Sequence, residues 1–547
     1  MAIYVGFDSS TQSLTATAIE VDAGRREILF ERTIGFDETL PAYGTQHGVL
    51  PAEDSLVAVV PPLMWAEALD RMMAWMASSG LDLSRVRALS GSAQQHGSVY
   101  LARGAGERLA GLTPRAPLVE QLRDAFSREV SPIWMDSSTS AECDAIASAV
   151  GGHARLARLT GSRAFERFTG PQIRKFASVA PSAYARTERI HLVSSFLASL
   201  LAGRHAPIEP GDGSGMNLMD ITTGRWHAEI VAATAHDLGA KLPDLVASSS
   251  VVGTLAPYWV SRHGWPQARV IAWSGDNPNS LVGVGLVREG RLAISLGTSD
   301  TVFGHMAAPR IDPSGTGHVF GAPTGGFMGL TCFKNGSLAR ERVRNDFGLD
   351  WAGFSRMLRE TPAGNGGRLL LPWFVPEITP PVFAAGPRRY GLDVDDAAGH
   401  VRGVVEAQML AMARHSRWMG VDVDVVHATG GAAVNRDLLQ VMADVFDADV
   451  YQFDVGNSAA LGAALRAYHA DRLADGVDVS WDEVVAGFAE PVPASRVSPS
   501  PERVRVCAAQ REVYAACEAH ALGRGPDPRE LVQAFRARFG SDAGAWG

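Results

Sequence analysis

The sequence predicts an α/β protein with more than one large domain. Its 547 residues, 46% hydrophobic and 20% charged, exceed what a single core usually holds. Strand-like segments alternate along the chain with segments whose apolar residues recur at helical spacing. We expect a boundary within SRHGWP, which divides the chain into domains of residues 1–264 and 265–547.

The first predicted element is a β-hairpin. Two short runs rich in β-branched residues, Ile3 to Phe7 and Leu14 to Ile19, flank the turn DSSTQS. This turn contains one acid, Asp8, followed by small polar residues and no lysine. Small residues let backbone N–H groups approach an anion closely, so the turn can bind an anion without a cationic side chain.

The next informative segments carry polar side chains beside a strand. VRALSGSAQQHGSVYL predicts strand, loop and strand, and its loop presents Gln94, Gln95 and His96. These uncharged hydrogen-bonding groups suit a polyhydroxy ligand, whereas a single histidine is more often structural. Further on, ERIHLVSSFLASLLAG has apolar residues at helical spacing.

The segment WSGDNPNSLVGVGLV places Asp276 and Asn277 directly after a buried strand. Loops at the carboxyl ends of strands are where α/β proteins put their chemistry. Asp276 can also be the N-cap of the following helix, with Pro278 in its first turn. The two roles are compatible, so both stay open.

The second half contains a second hairpin with a small-residue turn. RLAISLGTSDTVFGHM predicts two strands joined through Gly297 and Thr298. Two such hairpins facing each other can hold the phosphates of a nucleotide between two domains. The likeness between the two hairpin sequences is weak, and coincidence is the alternative.

Four helices are predicted near the C-terminus. In DVVHATGGAAVNRDLLQVMADVF, Gly430 and Gly431 precede a helix whose start either admits a flat ligand or is a plain helix start. VGNSAALGAALRAYHA, from Val455, predicts a closely packing helix with small residues on one face. ERVRVCAAQREVYAACEAHAL and PDPRELVQAFRARF predict two terminal helices without an assigned function.

Composition and missing motifs exclude several classes. A net charge of −9 argues against a nucleic-acid partner. No export signal or membrane segment is recognisable, and the four cysteines form no CxxC or metal-ligand pattern, so we expect a reduced cytoplasm. The chain has three lysines and no Walker, HExxH or GxSxG motif, which argues against a P-loop phosphotransferase, a metalloprotease and an α/β-hydrolase.

Nine motifs, in order over residues 3–470, resemble those of the FGGY carbohydrate kinases. They are DSSTQSL, SGSAQQHGSVY, PIWMDSS, GSRAFERFTG, GDGSGMNLMD, SGDNPNS, SLGTSDTVF, CFKNGSLARE and ATGGAAVNRDLLQ. QQHGS, WMDSS and the SRA-aromatic-ERFTG pattern most resemble the eukaryotic-type xylulose kinase subgroup. The resemblance implies two ribonuclease-H-like domains of the actin, sugar kinase and chaperone superfamily flanking a catalytic cleft. It also implies ATP as the donor, Mg²⁺ as its counter-ion, D-xylulose as the acceptor, and a monomer or homodimer.

The resemblance further implies a role for individual residues. Asp276 matches the family's general base for the terminal hydroxyl of the sugar, and Asp8 matches the acid that orients Mg²⁺ through water. The positions that match the sugar site are Gln95, His96, Arg167, Asp276 and Asn277. The positions that match phosphate contacts are Ser10, Thr11, Gln12, Gly297 and Thr298. The positions that match nucleotide contacts are Trp351, Gly431, Ala432 and Asn435.

Three positions depart from common family patterns. Thr15 stands where many members have a lysine, and Ser10 replaces a usual glycine, which leaves the affinity for ATP open. Ser138 stands where bacterial-type members carry an arginine, and the eukaryotic-type subgroup shares this serine. Two alternative functions also stay open: a kinase of another ketopentose or polyol, and a nucleotide-dependent switch of the actin or chaperone kind that is not an enzyme.

Overall fold

The computed structural model describes residues 2–22, 24–453 and 456–540. Its strands are β1 (Ala2–Ser9), β2 (Ser13–Asp22), β3 (Arg25–Gly35), β4 (Val59–Val60), β5 (Val86–Ala93), β6 (Ser98–Ala102), β7 (Ser131–Pro132), β8 (Thr187–Leu192), β9 (Met219–Asp220), β10 (Arg225–Trp226), β11 (Val251–Thr254), β12 (Arg269–Ile271), β13 (Ser274–Gly275), β14 (Arg291–Leu296), β15 (Asp300–Met306), β16 (His318–Gly321), β17 (Phe327–Phe333), β18 (Leu369–Leu371), β19 (Arg388–Tyr390), β20 (Val425–Thr429) and β21 (Asp449–Gln452).

The α-helices lie between and after these strands. They are α1 (Phe36–Thr39), α2 (Pro62–Ser78), α3 (Ala105–Ala110), α4 (Leu118–Leu122), α5 (Ser140–Ala149), α6 (His153–Thr160), α7 (Thr169–Val179), α8 (Pro181–Ala185), α9 (Val193–Ala202), α10 (Pro210–Gly213), α11 (Ala228–Thr234), α12 (Leu238–Lys241), α13 (Pro257–His263), α14 (Asp276–Gly283), α15 (Ser337–Asp346), α16 (Trp351–Glu360), α17 (Ala397–His415), α18 (Arg436–Phe446), α19 (Ser458–Ala474), α20 (Trp481–Val485), α21 (Pro501–Ala521) and α22 (Arg529–Phe539).

Two large sheets repeat one arrangement. The first has the order β11-β12-β5-β1-β2-β3, with β13 also paired to β5, and the second has the order β16-β17-β15-β14-β20-β21. In each sheet an antiparallel hairpin, β1-β2 or β14-β15, is followed by parallel neighbours on one side. The predicted α/β fold of two ribonuclease-H-like halves is therefore confirmed, as are both hairpins.

The first sheet extends past the boundary expected between residues 264 and 265. Strands β12 and β13 lie beyond that point, and both pair in parallel with β5. The residues just after the expected boundary thus belong to the first sheet. The second sheet begins at β14, after α14.

Helix α19 joins the two halves, although it follows the strands of the second sheet. It packs against β1, β5 and α14, where glycines allow the backbones to meet. A Cβ atom on Gly462 would lie 2.0 Å from the carbonyl oxygen of Asn279, and one on Gly6 would lie 2.0 Å from that of Ala460. The predicted closely packing helix is confirmed from residue 458, and Val455 lies outside the described residues.

Two local predictions need correction. The segment predicted as a helix starts at Glu188, but its residues up to Leu192 belong to β8, which pairs with β6, and the helix begins only at Val193. Gly275 is the N-cap of α14, and Asp276 is its first helical residue, without a capping hydrogen bond from its side chain. The two predicted C-terminal helices correspond to α21 and α22. Within the described ranges, no helix is both long and apolar enough to cross a membrane.

Candidate active site

Three parallel strands of the first sheet bring the candidate catalytic residues to one edge. Asp8 lies in β1 opposite Ser92 of β5, and Gln95 and His96 follow the end of β5. Asp276 follows β13, which pairs with the end of β5. Because the carboxyl ends of parallel strands meet at the same edge, residues far apart in the chain converge here, as expected from the sequence.

Asp276 is a half-buried carboxylate held by its neighbours. The backbone N–H of Asn277 donates to Asp276 Oδ1 at 2.8 Å, and Asn277 Nδ2 donates to the same oxygen at 2.9 Å. Asn277 Nδ2 also donates to Gln95 Oε1 at 2.9 Å, which links the two loops. Burial raises the pKa of Asp276 to about 7, the charge of Asp8 adds to the rise, and the amides of Asn277 and Gln95 oppose it. A carboxylate with this pKa can accept a proton at neutral pH.

Asp8 is the second carboxylate of this edge. Its Oδ1 accepts a hydrogen bond of 2.6 Å from the hydroxyl of Ser92. Burial raises the pKa of Asp8 to about 6, although the bond from Ser92 lowers it. Burial raises the pKa of both carboxylates, and the charge of Asp8 raises the pKa of Asp276 further, so together they form a site that favours a cation.

The loop after β5 is fixed by the segment around α10. Gln95 Nε2 donates to the carbonyl of Gly211 at 3.2 Å, and His96 Nδ1 donates to the carbonyl of Gly215 at 2.7 Å. The ring of His96 stacks on Phe168 at 4.3 Å between centroids, and its backbone has a positive φ of 72°. Burial, with the charge of Arg167, lowers the pKa of His96 to about 3. The ring is therefore neutral, and its Nε2 is an acceptor for a ligand hydroxyl.

Arg167 lies on the loop before α7 and brings a cation beside this loop. Its guanidinium lies 5.1 Å from the ring centre of Phe165 and 5.8 Å from that of Phe168. Burial lowers the pKa of Arg167, which nonetheless stays charged at any physiological pH. Its charge in turn lowers the pKa of His96, so the two side chains are electrostatic neighbours. A neutral imidazole, side-chain amides and a guanidinium thus lie near one another, and these hydrogen-bonding groups suit a polyhydroxy ligand.

A cavity of about 550 Å³ in the second half gathers the residues predicted to contact the nucleotide. Gly297, Thr298, Trp351, Gly431, Ala432 and Asn435 all line it. Trp351 is half exposed and presents an aromatic ring on which a base can stack. Asn435 is the N-cap of α18: its Oδ1 accepts from the backbone N–H groups of Asp437 and Leu438 at 3.1 and 3.2 Å. The size of the cavity is that of a small-molecule site.

The first hairpin turn offers backbone amides to an anion. In the first turn, the backbone N–H of Ser10 donates to the carbonyl of Ser13 at 2.9 Å, so its amide closes the turn. Within the described ranges, no protein acceptor is found for the amides of Thr11 and Gln12. Thr15 is buried and bonds to Thr33 Oγ1 at 2.9 Å, so its side chain belongs to the strand pair.

Several residues of the site were missed by the sequence reasoning. Arg340 and Glu341 line the nucleotide-sized cavity, and Arg340 pairs with Asp300 at 2.8 Å in the interior. They belong to the CFKNGSLARE motif, so a signal existed, but they were not assigned a role. Trp134 Nε1 donates to Thr11 Oγ1 at 2.8 Å, and His318 accepts from Arg167 at 3.0 Å. Both contacts join segments that are distant in the chain. Trp134 belongs to the PIWMDSS motif but was given no role, and His318 lies in none of the nine motifs.

The carboxylates fit a magnesium ion of the kind that accompanies a nucleotide. Mg²⁺ keeps several of its waters and is usually held by one or two carboxylates together with substrate phosphates. Asp8 and Asp276 supply two such carboxylates, and the charge of Asp8 raises the pKa of Asp276. Across residues 2–22, 24–453 and 456–540, no group of three or more His, Cys, Asp or Glu side chains could hold a metal alone.

The duplicated fold, a candidate base beside hydrogen-bonding groups that suit a sugar, and a nucleotide-sized cavity are the features of a carbohydrate kinase. The models of the FGGY family of carbohydrate kinases match the chain at residues 128–283 for the N-terminal domain and 292–470 for the C-terminal domain. The chain belongs to this family.

Named relatives agree with this membership. The chain is 44% identical to a xylulose kinase of Mus musculus, over 96% of both chains. It is 42% identical to xylulose kinase 2 of Arabidopsis thaliana, over 86% of this chain and 87% of that protein. The fold is similar to the crystal structure of a xylulose kinase from Rhodospirillum rubrum, with a TM-score of 0.79 and 18% identity over 95% of this chain and 99% of that one.

Proposed function

We propose that the protein transfers the γ-phosphoryl group of ATP to the terminal hydroxyl of D-xylulose, forming D-xylulose 5-phosphate and ADP. The observation that carries the proposal is the cluster of Asp276, Asn277, Gln95 and neutral His96 at one sheet edge. The identity of the sugar comes from the named xylulose kinases, which match this chain over most of its length.

The chemistry assigned to the site needs one proton acceptor and accurate positioning. Asp276 takes the proton of the attacking sugar hydroxyl while the hydroxyl oxygen bonds to the γ-phosphorus of ATP. The bond between the γ-phosphorus and the bridging oxygen breaks, and ADP leaves with that oxygen. Asn277 and Gln95 hold the Asp276 carboxylate and contact sugar hydroxyls. His96 Nε2 accepts a hydrogen bond from the sugar, and Arg167 donates to its oxygens.

The nucleotide side of the proposal divides among the two turns and the cavity. Backbone amides of Thr11 and Gln12 in one turn bind phosphates, with Ser10 shaping this turn, and Gly297 and Thr298 of the other turn contact the phosphates as well. Trp351, Gly431, Ala432 and Asn435 bind the adenosine part. Asp8 orients a hydrated Mg²⁺, which neutralises phosphate charge when bound. We place the enzyme in the cytoplasm as a monomer or homodimer without nucleic-acid or membrane partners.

A substrate panel tests the proposal. ADP production with Mg²⁺ and ATP is measured for ketoses, aldoses and pentitols, and D-xylulose is expected to give the highest kcat/KM. If another sugar gives the highest kcat/KM, the proposed substrate is wrong and the protein is a kinase of that ketopentose or polyol. No stimulation by any sugar would reject the kinase assignment in favour of a nucleotide-dependent switch.

Two variants then test the assigned roles. Asp276→Asn is expected to lower kcat by about 10³-fold or more while ATP still binds, because the base is lost and the side-chain shape is kept. Asp346→Asn, an exposed acid paired with Arg342, is the control and should keep full activity. Trp351→Ala should raise KM for ATP about tenfold and leave KM for the sugar unchanged, since a stacking surface is lost.

A further inference from the structure

His318 is a buried histidine of the second sheet that lies in the sugar-side half of the cleft. It begins β16 and is 2% exposed. Its ring stacks on Phe320 at 5.8 Å and meets the edge of Phe165 at 4.8 Å between centroids. Phe165 precedes Arg167 on the loop before α7, so His318 packs on the segment that carries a candidate sugar ligand.

The hydrogen bonds of His318 fix its tautomer. Arg167 Nη2 lies 3.0 Å from His318 Nε2, and a guanidinium can only donate, so Nε2 accepts. The proton is therefore on Nδ1, which donates to the hydroxyl of Ser162 at 3.1 Å. Burial, with the charges of Arg167 and Arg163 and the neighbouring His96, holds the pKa of His318 well below its usual range. The neutral ring stays an acceptor at any pH at which the protein works.

Arg167 depends on this acceptor for its orientation. Throughout the described ranges, Arg167 forms no ion pair with a carboxylate, and His318 is the hydrogen-bond partner found for it. The aromatic rings of Phe165 and Phe168 restrict the guanidinium sideways but do not fix its rotation. Because only Nη2 of the Arg167 guanidinium is bonded to His318, its other N–H groups can donate to a ligand rich in oxygen.

Strand β16 is held firmly on the sugar side, although it is an edge strand of the second sheet. The backbone N–H of Val319 donates to the carbonyl of Gly161 at 3.0 Å, and that of Gly321 donates to Ser214 Oγ at 3.1 Å. A Cβ on Gly161 would lie 2.5 Å from the carbonyl oxygen of Val319, so the two backbones are in direct contact. His318 is therefore fixed relative to the loop that bears Arg167.

We propose that His318 is a positioning residue for sugar binding, through which the second domain orients the Arg167 guanidinium toward the substrate hydroxyls. This inference rests on the proposed function, because it requires that Arg167 contacts the sugar. It assigns a role in the sugar site to a residue from the half of the chain that otherwise holds the nucleotide cavity.

Replacement of His318 separates positioning from simple packing. His318→Leu keeps the bulk but removes the acceptor, and we expect KM for the sugar to rise about tenfold or more, with KM for ATP changed less than about twofold. His318→Gln can accept through Oε1 and should recover most of the sugar affinity. His427→Leu is the matched control: it removes another buried histidine of the second sheet, one bonded to the carbonyl of Val284, and should lower the melting temperature without changing KM for the sugar. Equal KM values in His318→Leu and the unaltered enzyme would overturn the proposal.

A double-mutant cycle with Arg167→Met decides whether His318 acts through Arg167. If it does, His318→Leu costs about tenfold in kcat/KM for the sugar in the unaltered enzyme and almost nothing in the Arg167→Met background. Additive losses would overturn the proposal. If Arg167→Met itself leaves kcat/KM for the sugar unchanged, the assigned contact between Arg167 and the sugar is wrong, and the positioning role of His318 is rejected too. If Arg167→Met lowers kcat/KM for the sugar and His318→Leu does not, only the positioning role is rejected.

Discussion

Burial gives Asp276 a pKa suited to catalysis and, by the same cause, makes its charge costly for folding. A base works best when its pKa lies near the working pH, and burial next to Asp8 raises the pKa of Asp276 to about 7. An ionised carboxyl that is poorly solvated also destabilises the native state relative to the unfolded chain. The activity and the stability of the protein should therefore respond to pH in opposite directions around this residue.

The acid side of the activity profile follows from the base. Below its pKa Asp276 is protonated and accepts no proton, so kcat/KM for the sugar should fall tenfold per pH unit below about 7. His96, with a pKa of about 3, stays neutral over this range, whereas Asp8, with a pKa of about 6, is protonated below pH 6 and should steepen the fall there. The profile is measured from pH 5.5 to 8.5 at sugar concentrations well below KM. A flat profile down to pH 5.5 would contradict the assignment of Asp276 as the base.

The stability gained by replacing Asp276 with Asn should increase with pH, because the unaltered protein is destabilised when its buried carboxyl group ionises. The folded pKa of about 7 lies above the ordinary value of 3.8, so the folded state binds the extra proton and loses stability as pH rises through 7. This difference corresponds to at most about 4 kcal/mol, and water in the open cleft reduces it to about 1–2 kcal/mol.

Urea unfolding at two pH values checks this expectation. The Asn variant should be more stable than the unaltered protein at pH 8, and the difference should nearly vanish near pH 4, where the folded Asp276 is protonated and the unfolded one is close to its ordinary pKa. A variant that is less stable at pH 8 would show that the hydrogen bonds of the carboxylate outweigh its burial.

The site residues that directly follow predicted strands could be identified from the sequence, whereas a residue that reaches the site only through tertiary packing could not. Gln95, His96 and Asp276 follow apolar strands in α/β order, so their place at a sheet edge follows from topology. His318 stands alone between glycine-rich turns, and its role depends on the packing of β16 against the sugar-side loop. No local pattern encodes a contact of this kind.

At the scale of elements, small residues determine how closely helices and strands approach. Helix α19 was readable from its spacing of apolar and small residues, but not the sheet on which it packs, since propensity does not specify a partner. Its Gly462 faces α14 and its Ala460 faces Gly6 of β1 in direct backbone contact. The same close packing carries α14, and with it Asp276, against the first sheet.

Gly462→Ala should therefore be strongly destabilising. The new Cβ would lie 2.0 Å from the Asn279 carbonyl oxygen, and backbone atoms on both sides cannot move aside without shifting α14. We expect a loss of about 3 kcal/mol or more in the free energy of unfolding, with reduced activity in the folded fraction. Gly239→Ala in α12 is the matched control, because its Cβ would meet only Val231 Cγ1 at 3.8 Å and alanine favours a helix. Similar melting temperatures for the two variants would contradict the packing argument.

The protein has two large sheets, but its two halves share one apolar cluster. The order of the predicted strands revealed the duplicated α/β architecture, whereas the boundary expected near residue 264 relied on a local turn and missed that β12 and β13 return to β5. A local turn signal such as the Gly and Pro in SRHGWP does not show which strands pair beyond it, so it does not define a domain boundary. Helix α19 then brings the second half of the chain back onto the first sheet, so one apolar cluster includes Tyr4, Leu281, Ala293 and Leu465.

This continuity predicts that neither half folds alone. A cut between Arg288 and Glu289, both exposed, would leave the fragment 1–288 without α19, so that the faces of β1 and β5 that it covers would be open to water. We expect each fragment alone to be insoluble or to melt without a cooperative transition, and the two co-expressed fragments to associate and recover sugar-dependent ADP production. The intact chain should unfold in one transition by calorimetry, because the shared cluster couples both sheets. A monomeric fragment 1–288 with a sharp melting transition would show instead that the first sheet is stable without α19, and the helix would then serve only to join two independent domains.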